Sequence, residues 1–213
     1  MNPTVHLVTQ WGAFEESHPG AGIEDFCRHY LASRKKIIEG RMVGGVVPAL
    51  ADGLLLKLIG RIQKLHMGYA GMALEGTGLN QIEEFGMLVT IQQEKNPRKS
   101  DIVYANLFEL SSGTDMLNRL KKRGLIRELP DKEDRRSKRI ELTPTGTKAI
   151  ERGRVQIGKV ARMMTVDLTE DDKQLCIQLL KNIEIKFSAL WPEHKGLPFE
   201  EAFADVMKDS LKK

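Results

Sequence analysis

With only two cysteines in 213 residues, Cys27 and Cys176, the chain has no disulfide framework to staple it. Each lies on an apolar stripe, so both are expected to be buried structural residues rather than sensor thiols, which need exposure. No apolar run approaches the roughly 20 residues that span a bilayer. The N-terminus lacks a charged segment followed by an apolar signal core, so export is not expected and a cytoplasmic setting is. The five histidines show no metal-ligand spacing, and no phosphate-binding glycine loop, nucleophile elbow or paired-acid site is present. No metal, cofactor, membrane association or enzymatic activity is therefore expected.

What is present is an ordinary folded composition, 41% hydrophobic and 29% charged. This length supports a proper core in one domain, or one domain with extensions. The isoelectric point near 9.0 hints weakly at a polyanionic partner.

The placement of the charge says more. Between Arg119 and Arg139 stand ten positive and four negative side chains, a net +6 against +4 for the whole chain. The remainder is thus slightly acidic, and the positive charge gathers on one helix and one loop. A solvated hairpin of mixed charge would be the ordinary reading of such a run alone; the order of the surrounding elements argues against it.

That order runs through residues 107–146. Met116, Leu117 and Leu120 form an inner stripe at helical spacing, with Ser111 as the expected N-cap and Gly124 as a left-handed stop. Residues 125–129 and 139–142 read as brief strands around a charged hairpin tip. Thr143-Pro144 restarts a helix, with threonine as cap and proline at the first position. An earlier short helix with Ile102, Val103 and Tyr104 completes a helix-turn-helix.

These residues resemble the MarR family of winged helix-turn-helix transcriptional regulators. The carrying blocks are Ser111-Ser112-Gly113-Thr114, Arg119-Leu120-Lys121-Lys122-Arg123-Gly124-Leu125-Ile126, Asp131-Lys132-Glu133-Asp134-Arg135-Arg136 and Leu142-Thr143-Pro144-Thr145-Gly146. The usual wing has proline where Lys132 stands, and here Pro130 precedes Asp131. The resemblance covers about residues 54–190. It implies a mainly α fold with a small β-hairpin wing and long N- and C-terminal dimerisation helices.

The rest of the chain fits around that core. Residues 1–36 read as a helical extension, with Val5, Val8, Trp11 and Phe14 on one stripe and Ile23, Phe26, Cys27, Tyr30 and Leu31 on another. Glycines make 37–53 a linker. A long helix follows, carrying Leu55, Leu58, Ile62, Leu65 and Tyr69. Asn80 is expected to cap the next helix, with Glu83 completing a capping box. The reader lobe spans about 80–143, and a long basic helix follows the wing. A last long helix starts at Thr169 and is expected to close at Trp191-Pro192, leaving 191–213 as a tail with one short helix. Such stripes exceed what one small lobe can cover. The resemblance implies that these helices from two subunits interdigitate as a homodimer.

For double-stranded DNA, Ser112, Thr114, Asp115 and Asn118 are candidates for base edges, with asparagine suited to adenine. Ser100, Ser111, Arg119 and Lys122 are candidates for phosphates. On the wing, Arg135, Arg136 and Lys138 supply charge; Arg136 is expected in the minor groove, oriented by Asp134. Arg119 could equally pair with a wing acid, and Asp115 also reads as a first-turn helix acid. The resemblance further implies a small aromatic or phenolic effector, for which His66, Met67, Tyr69 and Met72 are candidate lining. A methionine and aromatic stripe is more often plain core. The expected function is a homodimeric DNA-binding regulator, a repressor on a palindromic operator. The alternative is a winged-helix module for protein–protein assembly without operator specificity.

Overall fold

Side chains cap the starts of several helices. Asn2 accepts from the Thr4 amide at 2.9 Å ahead of α1 (Pro3–Ser17). Thr143 accepts from the Gly146 amide at 3.0 Å ahead of α7 (Pro144–Met164). Thr169 and Asp172 form a reciprocal capping box at the start of α8 (Glu170–His194). In this computed structural model residues 2–33, 48–131 and 138–210 are described, the side chains of 209 and 210 excepted.

The chain divides into two compact units, Met1–Leu54 and Leu55–Lys213. The first holds α1 and α2 (Ile23–Ser33), whose contact is aromatic: Trp11 meets Phe26 edge-on at 5.1 Å, and Phe14 lies 5.5 Å from Phe26. Two helices can bury only one side of each other, so Phe14 and Phe26 are buried while Val5, Val8 and Leu31 stay exposed. Cys27 is exposed as well, and so is Cys176 on α8, contrary to the expectation of buried cysteines. Helical spacing puts a residue on a stripe but does not set its depth.

The second unit is the winged lobe and its long helices. These are α3 (Ala51–Leu74), α4 (Ile82–Glu94), α5 (Lys99–Ala105), α6 (Leu110–Lys122), β1 (Ile126–Pro130), β2 (Lys138–Leu142), α7, α8 and α9 (Phe199–Ser210). The core, to which the described residues of α8 and α9 contribute nothing, joins Leu74, Met87, Leu88, Ile102, Leu117, Leu120, Ile140 and Ile150. β1 and β2 pair antiparallel with Ile126 opposite Leu142 and Pro130 opposite Lys138. The segment before α5 adds to the hairpin, since the Ile140 amide donates to the Pro97 carbonyl at 2.9 Å and Arg98 bridges Arg139.

Several boundaries differ from the sequence reading. Most of the expected linker, 37–47, lies outside the described residues, but α3 already begins at Ala51, because its apolar run tolerates Gly53. Gln81, not Asn80, occupies the N-cap of α4 without a side-chain cap; Glu84, one residue past Glu83, reaches back to the Asn80 amide at 2.8 Å. α6 starts at Leu110 after Glu109, so Ser111 lies inside its first turn. α8 runs through Pro192 to His194: near a helix end proline removes one amide, and the Lys195 amide still bonds to the Trp191 carbonyl at 2.9 Å. Gly124 does take the left-handed conformation (φ +71°) that ends α6. Among the described residues no helix is long and apolar enough to cross a membrane.

Candidate nucleic-acid interface

The face α6 turns to solvent follows from the face it buries. Gly113, Met116, Leu117 and Leu120 pack inward. The 3.6-residue period then sends Ser111, Ser112, Asp115, Asn118, Arg119 and Lys122 outward, and all six are exposed. Thr114 sits half-buried on the flank. Because the helix begins two residues earlier than expected, Asp115 falls in its second turn and is not a first-turn acid. The Ser112 hydroxyl donates to the Glu109 carbonyl at 3.1 Å, and Ser100, on α5, donates to Asp101 at 3.2 Å.

Ion pairing sorts the lobe's cations into two sets. Lys121 binds Glu128 at 2.7 Å, Arg123 binds Glu84 at 2.6 Å, Arg127 binds Glu141 at 2.5 Å and Arg139 binds Asp131 at 3.1 Å. Arg119, Lys122 and Lys138 have no acidic partner among the described residues, so the alternative pairing of Arg119 with a wing acid is not seen there. Charge already satisfied by a carboxylate contributes little to a phosphate contact, whereas unpaired charge on an exposed helix face is available for it.

Glu128 is held from two sides, by Lys121 and by Lys99 at 2.5 Å. The hydrogen bonds from Lys121 and Lys99 keep its carboxyl below the usual carboxylate range, and burial only partly opposes them. This clamp ties α5 and α6 to β1. A folded-state pKa below the unfolded one stabilises at neutral pH, and that stability fades as pH falls through the lowered value. Glu128→Gln should therefore cost on the order of 1 kcal/mol at pH 7, a modest figure because Lys121 is half exposed. Urea midpoints should differ at pH 7 and draw together as pH falls below the usual carboxylate range; a difference that does not shrink in acid would count against the clamp.

The base of the wing is fixed by a buried acid that sequence reasoning had only placed within a motif. The Asp131 side chain, 1% exposed, accepts from Arg98 at 3.0 Å and Arg139 at 3.1 Å. Arg139 also donates to the Asn96 carbonyl at 3.3 Å. Arg98 and Arg139 thus hold the root of the hairpin to the start of α5. Asp134, Arg135 and Arg136 lie outside the described residues. Glu84 and Arg123 were also missed as a pair: they stand 39 residues apart, and no local spacing signals them.

His66, Met67, Tyr69 and Met72 lie along α3, Met72 being 68% exposed. None of the four lines either of two cavities formed by described residues of this unit. One, about 680 Å³, is bounded by Leu56, Leu107, Ile183, Phe187, Trp191 and His194. The other, about 700 Å³, lies beside Gly78, Asn80 and Arg123.

The chain matches no family model and no characterised protein sequence. Among solved structures it is similar to a point mutant of MarR from E. coli complexed with operator DNA, with TM-score 0.57 and 23% identity over 61% of this chain and 92% of that one. It is also similar to the PcaV transcriptional regulator of Streptomyces coelicolor in complex with its natural ligand, with TM-score 0.56, 17% identity and coverage of 67% and 97%. BpsR of Bordetella bronchiseptica, whose DNA binding is regulated by 6-hydroxynicotinic acid, gives 0.56, 20%, 61% and 98%. The match extends over nearly the whole length of each of these structures. The chain has the MarR-like winged helix-turn-helix fold.

Proposed function

We propose that this protein is a homodimeric, sequence-specific DNA-binding transcription regulator of the cytoplasm, acting as a repressor on a palindromic operator. The observation that carries this is the exposed face of α6. Arg119 and Lys122 stand there unpaired among the described residues, beside Ser111, Ser112, Asp115 and Asn118, while neighbouring cations are held by carboxylates. Arg119, Lys122 and Ser111, with Ser100 on α5, would hold phosphates. Ser112, Thr114, Asp115 and Asn118 would meet base edges, and Lys138 with Arg135 and Arg136 would supply the wing, Asp134 orienting Arg136.

Dimerisation is supported by what the single chain leaves uncovered. None of the 25 residues of α8 is buried. Ile62, Leu65, Ile183 and Phe187 are exposed on the helices flanking the lobe. A second copy would cover such faces and set two reader helices about one duplex turn apart. For a small aromatic effector, the cavity of about 680 Å³ offers Phe187 and Trp191 next to Leu107, which lies two residues before the N-cap of α6.

Selection of genomic fragments with the purified protein tests the reading. Inverted repeats with half-site centres about 10 base pairs apart should be enriched. The protein should sediment as a dimer at micromolar concentration. Recovery of no preferred sequence, or a monomer, would overturn the assignment and favour a protein-assembly role.

A further inference from the structure

Hydrophobic packing holds α6 through Met116, Leu117 and Leu120, but such packing is non-directional and leaves rotation and sliding weakly fixed. Directional restraints come from polar contacts: Lys121 to Glu128 on β1, Lys195 to Glu109 at the N-cap, and, reaching the α3–α4 corner, a contact at the helix's C-terminal end. Arg123, its C-cap residue, donates from Nη1 to Glu84 Oε1 at 2.6 Å and from Nη2 to the Gly78 carbonyl. The other oxygen of Glu84 accepts from the Asn80 amide at 2.8 Å. Gly78, Asn80 and Glu84 all belong to the corner where α3 gives way to α4. One planar guanidinium therefore spans from that corner to the end of the reader helix, with its two donors on two different acceptors.

Glu84 is 2% exposed, so its charge is tolerable only with these donors in place. Arg123, with Gly78 and Asn80, also borders the open cavity of about 700 Å³, so the two hydrogen bonds help to set the position of the guanidinium. Buried pairs of this kind add little net stability compared with apolar replacements. What the pair does supply is a fixed angle and register.

We propose that Arg123 and Glu84 are positioning residues for operator recognition: the pair sets the orientation of α6 in the groove without touching DNA. The proposal rests on the regulator reading above. It separates Arg123 from Arg119 and Lys122, which would act on phosphates directly.

The test compares wild type, Glu84→Gln and Arg123→Lys on the selected operator and on a random duplex of equal length. Glu84→Gln keeps an acceptor for the Asn80 amide and removes only the charge. Arg123→Lys keeps the charge beside Glu84 and removes the fork, so it remains informative should Glu84→Gln fold poorly. Operator affinity should fall by about 5- to 150-fold in each variant. Affinity for the random duplex should stay within about twofold, and the salt dependence should keep its slope, because no phosphate contact is lost. A variant that folds and binds operator as wild type does would overturn the proposal. So would equal losses on both duplexes with a shallower salt slope, which would make Arg123 a phosphate contact. If wild type itself prefers no sequence, the regulator reading falls first and the positioning role with it.

Discussion

Gly146→Ala is expected to lower stability by about 3 kcal/mol, near the upper end for overpacking, because the obstacle is backbone and cannot rotate away. A β-carbon at this position would lie 2.0 Å from the Leu125 carbonyl oxygen and 3.0 Å from its carbon. That carbonyl is pinned, since it accepts from the Thr143 amide and hydroxyl, both at 3.1 Å. The Thr143 hydroxyl shares its one proton between that carbonyl and the Gly124 carbonyl, the latter at 2.6 Å. The end of α6, the end of β2 and the start of α7 therefore meet at one point with no room for a methyl group. For a chain of this size the loss corresponds to a melting temperature lower by roughly 6–12 °C. Gly158→Ala, on the same helix with nothing within 4 Å of where its β-carbon would stand, serves as the control. It should be neutral or stabilising by about 0.5–1 kcal/mol. Melting of the Gly146 variant within about 2 °C of wild type, as a surface change would give, would contradict the close approach.

The same junction shows what was legible in the sequence. Thr143-Pro144 announced its helix because cap and proline act on immediate neighbours, and Gly124 announced a stop for the same reason. The inward stripe of α6 was legible because the helical period alone separates Met116, Leu117 and Leu120 from the residues between them. Features set by distant partners were not legible. Ser111 had the chemistry of a cap, yet the helix extends back to Leu110, and Glu109 at its N-cap is tied to Lys195 at 2.8 Å, far along the chain. The division of the basic residues depended on Glu84, Glu128, Asp131 and Glu141, and counting charges along the chain could not assign those pairs. Cys27 shared a stripe with Phe26, but a two-helix contact has depth enough for the ring and not for its neighbour.

That division of charge predicts a large and uneven response to alanine. Arg119→Ala and Lys122→Ala should each weaken binding to all duplexes and reduce the salt slope by about 1, as expected for a lost phosphate contact. Arg136→Ala, in the segment joining β1 to β2, should reduce operator affinity further, by about 1–3 kcal/mol, and most where a narrow A·T tract faces the wing. Combined with Arg119→Ala, two separate contacts should lose roughly additively, about 2–5 kcal/mol in all, while the protein stays folded. Arg127→Gln is the contrasting case. Its guanidinium faces Glu141 across the hairpin at 2.5 Å, so its charge is already compensated. Its replacement should change operator affinity by less than about threefold at physiological salt, where screening limits longer-range effects. Gel-shift titrations at several salt concentrations separate the outcomes. Comparable losses from Arg119→Ala and Arg127→Gln would mean that the duplex responds to total charge alone. The unpaired face of α6 would then have no privileged role.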